Sequence, residues 1–204
     1  MPKITDAEAT RERLVRAAWK VIASEGIEAA TLRRVAQEDG CTTGLITHYF
    51  SDKNELVTSA YRKVLDMMLA DAAAAIAAQE SVTEKLLAAV EAIEPTRPEI
   101  RDFTVVLINF WAAAAFNPTF AQHCREDYKR WRTLVSGVIA AGIRSGELRE
   151  DTDIRMLTDI LTLLSDGLSV GMTLTPKDYP HQHRRAAILQ VLNPFLQHAA
   201  IARK

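Results

Sequence analysis

No long run of this chain alternates apolar and polar residues with period two. That absence removes half-buried strands, and with them sheets and barrels, from the available folds. What remains is a helical period broken at a few places. Glycines such as Gly26, Gly40 and Gly146 and prolines such as Pro98, Pro118 and Pro180 mark those breaks, and alanine, the strongest helix former, is abundant throughout. The fold class is therefore all-α, with about nine helices.

The breaks set the element boundaries. A first helix is expected after Thr5, with Thr5 and Glu8 at capping-box spacing, and Gly26 ends it. Leu14, Ala17, Ala18, Val21 and Ile22 form its apolar stripe. Thr31 caps a short second helix that buries Leu32, Val35 and Ala36 and stops at Gly40. A third short helix covers Thr43 to Phe50, and Ser51 or Asp52 caps a long fourth through Glu55. Longer apolar helices follow: Val82 to Ile93, Glu99 to Phe116, Pro118 to Ser145, Asp153 to Leu174, and His181 to about Ala202. The expected division is a head over residues 1–52 and a helical body over residues 53–204.

Composition narrows the function. Hydrophobic residues at 48% and charged residues at 25% are globular proportions, and a net charge of −1 argues against coating nucleic acid by bulk basicity. Cys41 and Cys124 are too few for a secreted disulfide scaffold and read as reduced thiols. The first residues carry no apolar signal core, and Phe103 to Phe116 is too short to cross a bilayer. A cytoplasmic protein with no membrane partner is expected.

Two short helices joined at Gly40-Cys41-Thr42 have the spacing of a helix-turn-helix, which presents its second helix to the DNA major groove. Spacing alone leaves a plain αα-hairpin equally open. Charge placement adds to it. Residues 1–62 hold nine Lys/Arg and nine Asp/Glu and net zero. Yet Arg33, Arg34 and Lys53 stand in first turns, and Glu38 and Asp39 at a C-terminal end, all against the helix dipole. A phosphate at those N-termini would reward the placement. The third helix carries Thr42, Thr43, Gly44, Thr47, His48 and Tyr49 outside Ile46 and Phe50. Short hydroxyls and a missing side chain suit close approach to base edges and phosphates. His48 and Tyr49 also have a plain reading as packing groups.

The run TLRRVAQEDGCTTGLITHYFSDKNELVTSAYRKV resembles the DNA-binding domain of the TetR family of transcriptional regulators. Thr31, Val35-Ala36, Gly40, Gly44, Ile46, Tyr49-Phe50 and Lys53 carry the match; Cys41 departs from the family's usual valine. The TTGLITHYFSDKNEL segment is similar to the branch that includes choline-sensing BetI regulators, and FWAAAAFNP with the basic helix after it is more loosely so. The resemblance implies that Thr31 and Arg33 lie near the DNA backbone and groove edge. It implies that Thr42, Thr43, Gly44, Thr47 and His48 face the major groove, and that Tyr49 and Lys53 hold phosphates. It implies a homodimer on a double-stranded operator and an unidentified small-molecule effector.

The last two helices would form the dimer interface by that resemblance, through Leu157, Leu161, Leu164, Leu168, Ile188, Val191, Leu192 and Phe195. An intramolecular core face is the other reading of the same stripe. Gly167 and Gly171, four apart, permit close helix approach. The effector wall is assigned to Phe103, Leu107, Phe110, Trp111 and Trp131, although helical spacing makes core packing the default for most of them. By analogy an aromatic box would hold a quaternary ammonium through cation–π attraction.

An enzyme is disfavoured: the chain has no G-x-S-x-G elbow, P-loop or G-x-G-x-x-G. His181 and His183 are two apart just after Pro180, unlike two ligands on one helix face, and His123-Cys124 is an isolated pair, so no metal and no cofactor is expected. A helical adaptor without DNA readout, and an activator rather than a repressor, remain as alternatives.

Overall fold

The computed structural model describes residues 4–197, with side chains from Asp6 onward. Among these residues the chain forms nine α-helices and no strand. They are α1 Ile4–Glu25, α2 Leu32–Asp39, α3 Thr43–Tyr49, α4 Lys53–Ala77, α5 Val82–Ala92, α6 Pro98–Ala114, α7 Pro118–Ser145, α8 Ile154–Leu174 and α9 His181–Leu192. The helix starts follow the cap residues. Thr31, Thr42, Ser81 and Asp153 each accept the expected backbone N–H, and Pro98 and Pro118 open α6 and α7. Two ends differ from expectation. α1 already begins at Ile4, so Thr5 is not its cap, and the Thr5 side chain lies outside the described residues. α9 stops at Leu192 and gives way to a 3-10 turn, Asn193–Phe195. Pro194 has no N–H to continue an α ladder. Arg149 N–H then donates to the Phe195 carbonyl at 2.9 Å, and Gln197 N–H to the Glu147 carbonyl at 2.9 Å. Ala202 lies outside the described residues.

The chain divides into two compact units. The first joins the residues up to Met68 with Thr96–Arg125; the second joins Leu69–Pro95 with the residues from Glu126 onward. The first unit is built on the α1 stripe, which is buried together with Val35, Ala36, Ile46, Phe50 and Leu56. Tyr61, Phe110 and Phe120 stack in the same core: Tyr61 and Phe110 are parallel with centroids 3.8 Å apart, and Phe110 and Phe120 lie 4.6 Å apart. Phe103 meets the Trp19 ring edge-on at 5.4 Å.

The second unit packs α5, α8 and α9 and parts of α4 and α7 around Leu86, Leu87, Trp131, Val135, Ile139, Leu148, Leu157, Leu161, Leu168, Ile188 and Leu192. This corrects the expected dimer face. Leu157, Leu161, Leu168, Ile188 and Leu192 are buried in the chain's own core, and Leu164, Val191 and Phe195 are half-buried against it. α8 is apolar on two faces, and its inward face carries hydroxyls. Thr158, Thr162 and Ser165 donate to the carbonyls of Ile154, Thr158 and Leu161 at 2.7–2.8 Å, which makes their burial inexpensive. The outward face carries Met156, Ile160, Leu163, Gly167, Val170 and Leu174, with Met156, Leu163 and Leu174 exposed to 56%, 69% and 72%. Gly171 faces inward, where a Cβ would come within 2.7 Å of the Tyr179 ring, while Gly167 opens on free space. α8 is the described helix long and apolar enough to cross a membrane by length and composition, yet 44% of that stretch is buried inside the protein.

Candidate nucleic-acid interface

α2 and α3 are held at a fixed angle by their turn. Gly40 adopts φ +75°, in the left-handed region, and donates to the Ala36 and Gln37 carbonyls. Cys41 N–H also reaches the Ala36 carbonyl, at 3.0 Å. Val35, Ala36 and Ile46 fill the space between the helices, and Cys41 is half-buried beside them. Burial, then the neighbouring Asp39 carboxylate, pushes the Cys41 thiol up from its ordinary pKa, so this cysteine packs rather than reacts.

With Ile46 and Phe50 buried, the opposite side of α3 is left outward. Thr42, Thr43, Gly44, Thr47 and His48 are all exposed, and Tyr49 is half-buried with the His48 ring against it edge-on at 5.2 Å. Two hydroxyls are in local use. The Thr42 side chain caps α3 by accepting from Leu45 N–H at 3.3 Å, and the Thr47 hydroxyl donates to the Gly44 carbonyl at 3.1 Å. Thr31 likewise spends its hydroxyl on Arg34 N–H at 3.1 Å. Gly44 is the informative position. Its φ is not positive, and a Cβ there would meet only Thr42 Oγ1 at an ordinary 3.8 Å. The fold does not ask for glycine at Gly44, and within a helix glycine costs about 1 kcal/mol relative to alanine. Its glycine leaves this part of the outward face of α3 bare.

The cations differ from expectation. Arg34 is fully engaged by Glu25 and Glu38. Lys53 donates to the Glu28 carboxylate at 2.9 Å and to the Glu28 carbonyl at 3.1 Å. Arg13 meets Asp39 at 3.2 Å, and Arg11 lies 4.8 Å over the Phe50 ring and donates to Ser59 at 2.9 Å. The placements of Arg34 and Lys53 against the dipole, read from sequence as vacancies for phosphate, are answered within the chain by Glu25 at the end of α1, Glu38 on α2 and Glu28 in the turn between them. Arg33 stands exposed on α2 beside this set. The α4 start is fixed by a reciprocal cap: Asp52 accepts from Glu55 N–H at 2.9 Å, and Glu55 accepts from Ser51 N–H and its hydroxyl, both at 2.8 Å. The Ser51 backbone N–H, then its hydroxyl, hold the Glu55 carboxyl below its ordinary pKa.

Residues 14–60 match the profile of bacterial regulatory proteins of the TetR family, and residues 82–197 match that of the BetI-type transcriptional repressor C-terminal domain. The chain belongs to the TetR family, in its BetI type. A BetI regulator from Cronobacter sakazakii is 29% identical over 203 residues, spanning 98% of this chain and 97% of that protein. The regulator PksA from Bacillus subtilis is 29% identical over 195 residues, spanning 93% and 91%. A transcriptional regulator from Saccharomonospora viridis, solved in complex with choline, shares the fold with a TM-score of 0.83 at 23% identity, over 94% of this chain and all of that one. The α2–α3 pair is thus the DNA-binding element of a TetR-family transcriptional regulator.

The residues assigned to the effector wall fall in different places. In this TetR-family chain Phe103, Leu107 and Phe110 are buried in the first unit, and both faces of Phe110 are taken by Tyr61 and Phe120. Trp131 packs in the core of the second unit, and Trp111 is half-buried on α6. Phe103 and Phe110 therefore have their rings occupied by neighbouring aromatics. Sequence reasoning missed the carboxylates Glu25 and Glu28. Their spacing from Arg34 and Lys53 is long in sequence, and nothing in a helical period announces a turn that folds back over the next helix.

Proposed function

We propose that the protein is a homodimeric repressor that reads a palindromic operator through Thr43, Gly44, Thr47 and His48 and leaves it when a small molecule binds the helical body. Thr31, Thr42 and Arg33 flank that face, and Tyr49 and Lys53 take phosphates at its edge. The observation that carries the reading is the outward face of α3, bare at Gly44 where the fold has room for a side chain. Dimerisation uses the outward stripe of α8, Met156 to Leu174, since one head contacts too little DNA for tight specific binding. The effector is read as a quaternary ammonium, on the strength of the BetI-type profile and the choline bound by the Saccharomonospora viridis protein. Trp111 is the aromatic of the original set best placed to meet it, because its side chain is only half-buried. The setting is the cytoplasm, where the operator is.

Selection of bound duplexes from a random pool tests the reading. The expected result is an inverted repeat with half-sites about one helical turn, roughly 34 Å, apart. A pool that shows no enrichment overturns it. Choline added to the selected complex is expected to release the DNA. Retention at saturating choline, with release by another small molecule, removes the ammonium assignment and leaves the repressor.

A further inference from the structure

Lys53 is the first residue of α4, where the exposed N–H end of the helix disfavours a cation. Glu28 answers that cost with two acceptors at once, a carboxylate oxygen at 2.9 Å and its own carbonyl at 3.1 Å. The carboxylate is otherwise in water, with the Glu28 side chain 93% exposed. The turn that carries it is held in place. Ile27 N–H donates to Asn109 Oδ1 at 3.2 Å, and Asn109 in turn donates to the Val105 carbonyl on α6 at 2.9 Å. Glu28 is thus presented to Lys53 by a fixed backbone rather than arriving by chance as a surface side chain.

We propose that Glu28 is an intramolecular competitor for the phosphate that Lys53 takes. This rests on the DNA-binding reading above. Before binding, the pair is neutral. To reach a phosphate, the ammonium must leave the carboxylate, and Glu28 is then a free anion within screening distance of the DNA backbone. The contact therefore returns little net counterion release in the wild type. An exposed pair is a weak hold, so the competition sets affinity rather than blocking binding; an effect of roughly two- to fivefold is expected.

The test measures anisotropy of two labelled duplexes, one pool of mixed sequence and one enriched by selection, from about 50 to 200 mM salt. Wild type, E28Q, K53Q and the double variant are compared, each first checked for an unchanged thermal melt. E28Q is expected to bind both duplexes roughly two- to fivefold more tightly. Its log-log salt slope should be steeper by about 0.9, one further neutralised phosphate. In the K53Q background the same substitution should gain less than it does in the wild type. Equal gains in both backgrounds make Glu28 a general negative charge and overturn the proposal, as does an E28Q indistinguishable from wild type. Wild type that binds neither duplex refutes the DNA-binding reading itself, which separates the two failures.

Discussion

At the scale of single residues, stability and function pull apart at Gly44. Replacing it with alanine adds a helix-favouring side chain where the protein has room, so Gly44→Ala should raise stability by about 0.5–1 kcal/mol. The same methyl stands on the outward face of α3, so operator affinity should fall. A calorimetric melt and an anisotropy titration on one preparation read both; a variant that binds as well as wild type removes Gly44 from the interface. Asp166 offers a test in pH. Burial raises its carboxyl above the ordinary value, against the Tyr128 hydroxyl at 2.7 Å and the charge of Arg132, which lower it. A carboxyl raised in the folded state favours folding while protonated. That contribution is complete below the ordinary carboxylate range and is lost as pH rises through the folded value. Asp166→Asn should therefore melt above wild type at neutral pH, with the gap closing on acidification. A gap that does not change with pH contradicts the assignment.

At the scale of elements, the caps and stops carry the fold and were legible because each is a local rule. Thr31, Gly40 and the Asp52–Glu55 cap need only their own neighbours to act, and Thr42 and Asp153 are caps of the same kind that the sequence reading did not single out. Gly40→Ala should cost about 1 kcal/mol, since its φ of +75° has no alternative for a side chain, and Asp52→Ala about as much by losing the α4 cap. Chemical denaturation measures each. The ion pairs were not legible. Glu25 lies nine residues from Arg34 and Glu28 lies 25 from Lys53, and only the folded turn brings them together. The outward surface of α3 could be read because a seven-residue helix with Ile46 inward, closed by a buried Phe50, leaves little choice for the rest.

At the scale of the whole molecule, α8 is apolar on two sides, and the leucine stripe legible in the sequence is the side that the chain covers itself. The leucines at 157, 161 and 168 face the chain's own core, and the hydroxyls between them bond back onto their own helix and go inside with them. The aromatic set meets a related limit: helical spacing finds which rings share a face, not whether another ring already covers one of them, as Tyr61 and Phe120 cover Phe110. Leu163→Glu, at an exposed apolar position, should leave the protomer folded and shift the protein to a monomer in sedimentation, with operator binding weakened by more than tenfold through loss of the second half-site. A dimer that survives this change would move the interface elsewhere. The gap at Gly167 has its own consequence along this stripe. On this stripe it is the position where an opposing backbone can come near without meeting a side chain, between Leu163 and Val170. If two copies meet along α8 as proposed, that gap would fix their alignment, whereas a chain with a side chain at that level would be held off. Under the proposed α8 contact, the gap would favour pairing between copies that both carry it over pairing with a related chain that does not.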